Sequence, residues 1–193
     1  YDSAITDMDA AIHGEPRCVE CYHERATMKL LNGLLEGALT DLARCMKLNG
    51  SFAPAYSTRA GIYMRMGQYW EALGDINMAL SIEPNNSAFL HNRAVIMTAL
   101  ERYKEAIEDY LRVIELDPLS GGSYNNLAWL LATAKDPEYR DCHMAITYAQ
   151  KALEMGNNGS WMDTLAAAYA ECGQLEKAVE IAVSYTHLTL PTN

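Results

Sequence analysis

The feature that most constrains this chain is a step of 34 residues. Tyr69 recurs as Tyr103, Ala72 as Ala106 and Pro84 as Pro118, each 34 residues on. The same step runs backwards from Ala72 to Ala38 and Ala4, from Tyr69 to Leu35 and Tyr1, and from Pro84 to Gly50 and Pro16. A second series, Ala26, Ala60, Ala94 and Ala128, keeps it as well. Self-similarity at such a period marks a repeat architecture, in which each unit is one supersecondary element. Within the unit, Ala72, Ile76 and Ala79 fall at i, i+4 and i+7, one stripe of a helix, and Ala106, Tyr110 and Val113 repeat it. Alanine at the closest contact lets two helices approach tightly. Pro84 and Pro118 end each unit, because proline cannot continue a helix interior. A short helix pair cannot bury both faces alone, so neighbouring units must stack. Half of the 193 residues are hydrophobic, enough to supply that shared core.

The residues at these positions resemble the tetratricopeptide repeat, whose length is also 34. Each unit opens on an aromatic or apolar residue (Tyr22, Tyr56, Leu90, Tyr124) and passes the small residue to a turn at Gly33, Gly67 or Glu101. Its second half carries the alanine, then Leu42, Ile76 or Tyr110, then Cys45, Ala79 or Val113. The resemblance implies an all-α fold, a right-handed α-solenoid of stacked antiparallel helix pairs. It places a lone second helix at 1–17, repeats at 19–52, 53–86, 87–120 and 121–158, and a truncated repeat at 159–182. The fourth repeat is four residues longer, since Ala128 to Ala166 is 38, and the excess lies around Lys135–Arg140. The segments Asn126–Thr133 and Asp163–Ala170 are similar to closing repeats of bacterial members of the family. Residues 183–193 are expected to stand apart. Val183-Ser184-Tyr185-Thr186-His187-Leu188 breaks the helical stripe and resembles a translated sequencing-library adapter, so the chain reads as a fragment open at both ends.

Charge and chemistry exclude several functions. The formal net charge of −10 disfavours nucleic acid and anionic membrane surfaces as partners. No Gly-rich phosphate loop, zinc-protease motif or nucleophile elbow occurs, so no catalytic residue, no cofactor and no enzyme activity is expected. Five scattered cysteines (Cys18, Cys21, Cys45, Cys142, Cys172) make a poor disulfide framework and favour a reducing, cytoplasmic setting. Cys18-x-x-Cys21, with His13 and His23 nearby, looks like half of a metal site but lacks a second pair, so it is read as a reduced pair without metal. Cys45 stands at a small core position. Cys142 and His143 are neighbours on one helix, point about 100° apart and are not expected to act together. Tyr56, Tyr63, Tyr69, Tyr103 and Tyr124 recur in register and read as packing residues.

Two rows of polar residues remain. Arg25, Arg59 and Arg93 each precede an aspartate, Asp41, Asp75 and Asp109, by 16 residues. In later units both members become apolar together, Leu127 and Leu165 with Tyr148 and Ile181. Three intra-pair ion pairs are therefore expected, Arg being suited to a carboxylate by its two-pronged donor. Along the first helices run His23, Ser57, His91, Asn125 and, beside them, Glu24, Thr58, Asn92, Asn126. The family resemblance puts these on the concave groove, which makes His23, Thr58, Arg65, His91, Asn92, Asn125, Asn126 and Trp129 the expected partner-binding residues. An asparagine can pair with both the N–H and the C=O of an extended peptide. Some family members clamp chaperone carboxylates with a Lys-Asn-Asn-Lys-Arg set. Here the corresponding positions hold His23 or Ser57, Gly61, Asn92, Gly122 and Asn126, of which only the asparagines fit, so the cations are missing and chaperone tails are not expected. The resemblance implies an adaptor that holds a peptide or a partner protein's helix. Two other classes stay open: a regulatory arm of a larger enzyme, and self-association through uncapped ends.

Overall fold

The computed structural model describes residues 2–156 and 158–189. They form eleven α-helices: α1 (Asp2–Gly14), α2 (Val19–Leu31), α3 (Leu35–Leu48), α4 (Ala53–Arg65), α5 (Tyr69–Ile82), α6 (Ser87–Ala99), α7 (Tyr103–Leu116), α8 (Gly121–Thr133), α9 (Cys142–Met155), α10 (Gly159–Glu171) and α11 (Leu175–Thr189). No strand occurs among the described residues, so the fold is all-α. None of the described helices is long and apolar enough to cross a membrane. The chain divides into two units, one ending at Ile96 and one beginning at Met97, both within α6.

In the first unit, α1 packs on α2, α2 on α3, α3 on α4 and α4 on α5, with α2 also touching α4. Small residues make this possible. Ala26, Ala38, Ala55 and Ala72 are fully buried, and larger side chains interleave between them, with Leu42, Ile62 and Ile76 also fully buried. Val19, Tyr22, Leu35, Met46 and Phe52 close the edges of the cluster around Leu42. In the second unit, α7 packs on α8, α8 on α9 and α10, α9 on α10, and α10 on α11. Its centre holds Ala128, Ala149 and Leu165, with Tyr148 and Ile181 packed against them.

One turn is used four times. After α2, the amide of Leu34 reaches the Lys29 carbonyl at 2.8 Å and that of Gly33 reaches Leu30 at 3.1 Å. The same pair of bonds follows α4 (Gln68 to Tyr63, Gly67 to Met64), α6 (Arg102 to Met97, Glu101 to Thr98) and α10 (Gln174 to Tyr169, Gly173 to Ala170). This double closure requires a left-handed residue just past the helix. Gly33, Gly67 and Gly173 supply it at φ of 75°, 73° and 73°, while Glu101 adopts φ 59° with a side chain in place.

The longer fourth repeat departs from that turn. Asp136 accepts from the Glu138 amide to start a short 3-10 turn at Pro137–Tyr139, and Asp141 caps α9 through the amides of His143 and Met144. The extra residues return to the core through the Tyr139 ring, which lies 5.7 Å from that of Tyr103. The tail differs from the sequence expectation: α11 continues past Val183 to Thr189. A formed helix propagates through serine and threonine at a cost of less than ~0.7 kcal/mol each, too little to break it there. Residues 190–193 lie outside the described residues.

The cysteines also depart from expectation. Cys18 joins Cys21 and Cys142 joins Cys172, each with Cα atoms 5.3 Å apart, and Cys45 stays free and buried. Cys18 and Cys21 lie one helical turn apart at the start of α2. Cys142 opens α9 and Cys172 follows α10, and the antiparallel packing of those helices brings the two ends together. That separation is within disulfide reach.

Candidate functional site

Two of the expected ion pairs form, both two-pronged. Arg25 donates from Nε and Nη2 to the Asp41 carboxylate at 2.8 and 2.5 Å, and Arg59 donates likewise to Asp75 at 2.6 and 2.7 Å. Asp41 and Asp75 are buried, so each carboxylate exchanges water for a guanidinium fork. Lys29 adds a third bond to Asp41 at 2.9 Å. The members of the third expected pair lie in different units. Arg93 donates to Asn77 at 3.3 Å in the first, and Asp109 is buried on α7 in the second. These pairs join the two helices of a repeat and belong to its frame.

The first helices of the first unit carry a diagonal ladder. His23 Nε2 lies 2.8 Å from the Thr58 hydroxyl, Asn92 Nδ2 reaches the Ser57 hydroxyl at 3.4 Å, and Arg65 Nη1 reaches the Leu30 carbonyl at 3.4 Å. Each link spans 35 residues, one more than the repeat, so consecutive first helices meet on a slant. Three of the residues expected to face a partner (His23, Thr58 and Asn92) are therefore engaged in bonds between first helices. His23 also packs edge-on against Phe52, with ring centroids 5.4 Å apart.

Burial lowers the imidazole of His23 below its ordinary value, against a smaller opposing pull from Glu24 and the Pro54 backbone, and burial alone lowers that of His91. A histidine held neutral in the folded state takes up its proton more readily when unfolded. Its contribution to stability is therefore intact above the unfolded value of about 6.5 and is lost as pH falls from there through the depressed folded value. The urea midpoint is expected to drop between pH 7.5 and 5.5, and by less in His23→Gln and in His91→Gln. Equal drops in all three proteins would remove these histidines as the cause.

In the second unit, α8 presents Asn125, Asn126 and Trp129. Asn126 and Thr98 hydrogen-bond the phenol of Tyr110, which burial pushes up to about 12. Asn125 donates from Nδ2 to Asn126 Oδ1 at 3.4 Å. Its own Oδ1 is buried and has no hydrogen-bond partner among the described residues. One helical turn on, Trp129 is 47% exposed although it is among the largest apolar side chains of the unit. Sequence reasoning picked out all three residues on α8. It missed Tyr110 as the group that orients Asn126, because a tyrosine in the core stripe reads as packing alone.

Comparison with known proteins bears on the fold. The sequence profile described as tetratricopeptide repeat matches residues 87–120. No curated protein matches the chain. Among solved structures, YrrB, titled a TPR protein with an unusual peptide-binding site, is 20% identical with a TM-score of 0.72, covering 94% of this chain and 92% of its own. PilW, titled a widely conserved type IV pilus biogenesis factor, is 14% identical with a TM-score of 0.82, covering 96% and 82%. MamA is 16% identical with a TM-score of 0.70, covering 84% and 92%. The chain thus carries a tetratricopeptide repeat at residues 87–120 and shares its fold, over nearly its whole length, with these solved structures.

Proposed function

We propose that this chain is a protein-interaction scaffold and that the first-helix face of its second unit holds an extended peptide segment. The observation that carries the reading is Trp129 on α8, a large apolar side chain left 47% exposed one turn from the Asn125–Asn126 pair. A tryptophan of this kind, set beside amide groups, is the anchor that the centres of interfaces favour. Asn126 is held by Tyr110 and steadies Asn125 through their mutual bond. The polar residues His23, Thr58 and Asn92 of the first unit, with Arg65, then serve partly as helix-to-helix fasteners, and His91 is partly buried beside them in sequence. The general role is supported by the fold, which in this family serves protein binding. YrrB, whose title names a peptide-binding site, is similar in fold only.

The test is capture of a partner with the full chain, followed by calorimetric titration of the bound segment as a peptide. Asn125→Ala is expected to cost about 1–2 kcal/mol of binding. Trp129→Ala is expected to cost about 2 kcal/mol or more. Full affinity in both variants would move the binding surface elsewhere on the chain.

A further inference from the structure

The disulfide between Cys142 and Cys172 has a third chemical group beside it. His143 Nδ1 lies 3.6 Å from Cys142 Sγ, and the donor atoms of Cys142, His143 and Cys172 all lie within 4.8 Å of one another. Adjacent residues on a helix normally diverge. Here both stand in the first turn of α9, where the imidazole reaches over to its neighbour's sulfur. Cys172 arrives from the end of α10. This is the only such group of three among the described residues, and Cys18 and Cys21 have no third donor of this kind.

We propose that Cys142, His143 and Cys172, once reduced, form a binding site for a thiophilic divalent ion of the zinc class. The ligands are two thiolates and one imidazole, with a fourth position open to water. A tetrahedral zinc-type ion with bonds of ~2.3 Å to sulfur and ~2.0 Å to nitrogen sets its sulfur and nitrogen ligands roughly 3.5 Å apart and its two sulfurs roughly 3.8 Å apart. The His143–Cys142 distance of 3.6 Å already matches the first of these. The second requires the sulfurs to part by less than ~2 Å from bonding contact, which side-chain rotation can provide. The helix ends stay together without the bond. Arg140 and Glu171, which flank the two cysteines, pair at 3.3 Å, and α9 packs along α10.

The chemistry balances with a dithiol as reductant. It delivers two electrons and two protons, the sulfur–sulfur bond opens to two thiols, and the dithiol leaves as its own disulfide. Metal binding then displaces one proton from each thiol, so uptake releases two protons. The position of Cys142 in the first turn of α9 favours its thiolate. His143 binds through Nδ1 as the neutral ring, with its proton on Nε2. His143 is exposed, which leaves a path for the ion.

The experiment uses the full chain, reduced with a dithiol, freed of it without air, and titrated with cobalt(II). One equivalent is expected to bind with the visible absorption and sulfur-to-metal charge transfer of a tetrahedral thiolate site, and zinc(II) should bleach both. The oxidised protein and the reduced Cys142→Ser and Cys172→Ser variants are expected to show neither, with helicity retained by circular dichroism. His143→Ala should weaken cobalt at least tenfold, and Cys18→Ser/Cys21→Ser should bind like the parent. The proposal fails if the reduced and oxidised chains bind alike, if the spectrum is octahedral, if the Cys18/Cys21 variant loses the site, or if His143→Ala leaves the affinity unchanged.

Discussion

Arg59→Ala is expected to lower the unfolding free energy by about 3 kcal/mol, because removing one member of a buried ion pair leaves the other uncompensated. Asp75 is only 8% exposed at its side chain, and no second cation is paired with it among the described contacts. The figure sits at the low end of the usual range because the Arg59 side chain is 26% exposed and water can reach part of the vacated site. Arg25→Ala should cost less, about 1–2 kcal/mol, since Lys29 remains on Asp41 and a buried acceptor with one charged donor is not orphaned. The chain itself suggests the compensating change. Its later repeats hold leucine at the arginine position and Tyr148 or Ile181 at the aspartate position, and Leu165, Tyr148 and Ile181 belong to one apolar cluster. Arg59→Leu combined with Asp75→Ile should recover most of the loss, as apolar residues of similar volume often replace a buried pair without penalty. Chemical denaturation of the four proteins checks this. Equal losses for Arg25→Ala and Arg59→Ala, or no recovery in the double variant, would count against this account of the pairs.

The second large effect is expected at Tyr110. It is the bulkiest of the fully buried side chains, at 1% exposure, and it stands where earlier repeats carry Leu42 and Ile76. Tyr110→Ala should destabilise by about 3–5 kcal/mol, through lost transfer energy and the cavity left behind. Tyr110→Phe separates the two roles of the residue. It keeps the volume, removes the phenol from Thr98 and Asn126, and should cost only about 1–2 kcal/mol of stability. It should also loosen Asn126 and, through it, Asn125, and so weaken peptide binding although Tyr110 itself is buried. A Tyr110→Phe protein as stable as the parent would show that the phenol is not fastening α8 through Asn126. One as destabilised as Tyr110→Ala would place its weight in the phenol's hydrogen bonds and not in packing.

The sequence by itself determined what repeats locally. The period, the helical class, the buried alanines Ala26 and Ala60, the glycine turns at 33 and 67 and the pairing of Arg25 with Asp41 all follow from residues that sit at the same place in each unit. A contact within one helix pair is set by short-range geometry, and the repetition exposes it. Three matters were decided only by the tertiary structure. The first helices meet with an offset of 35, so His23 and Asn92 bond to Thr58 and Ser57 across repeats instead of standing open, and a one-residue slant between helices leaves no trace in a period. The Asn125 acceptor is stranded because its neighbours are engaged elsewhere, which depends on packing around α8. Cys142 and Cys172 meet because α9 and α10 pack antiparallel, so that the start of one lies level with the end of the other, and this is set by how the helices stack, not by the 30-residue step from one cysteine to the other.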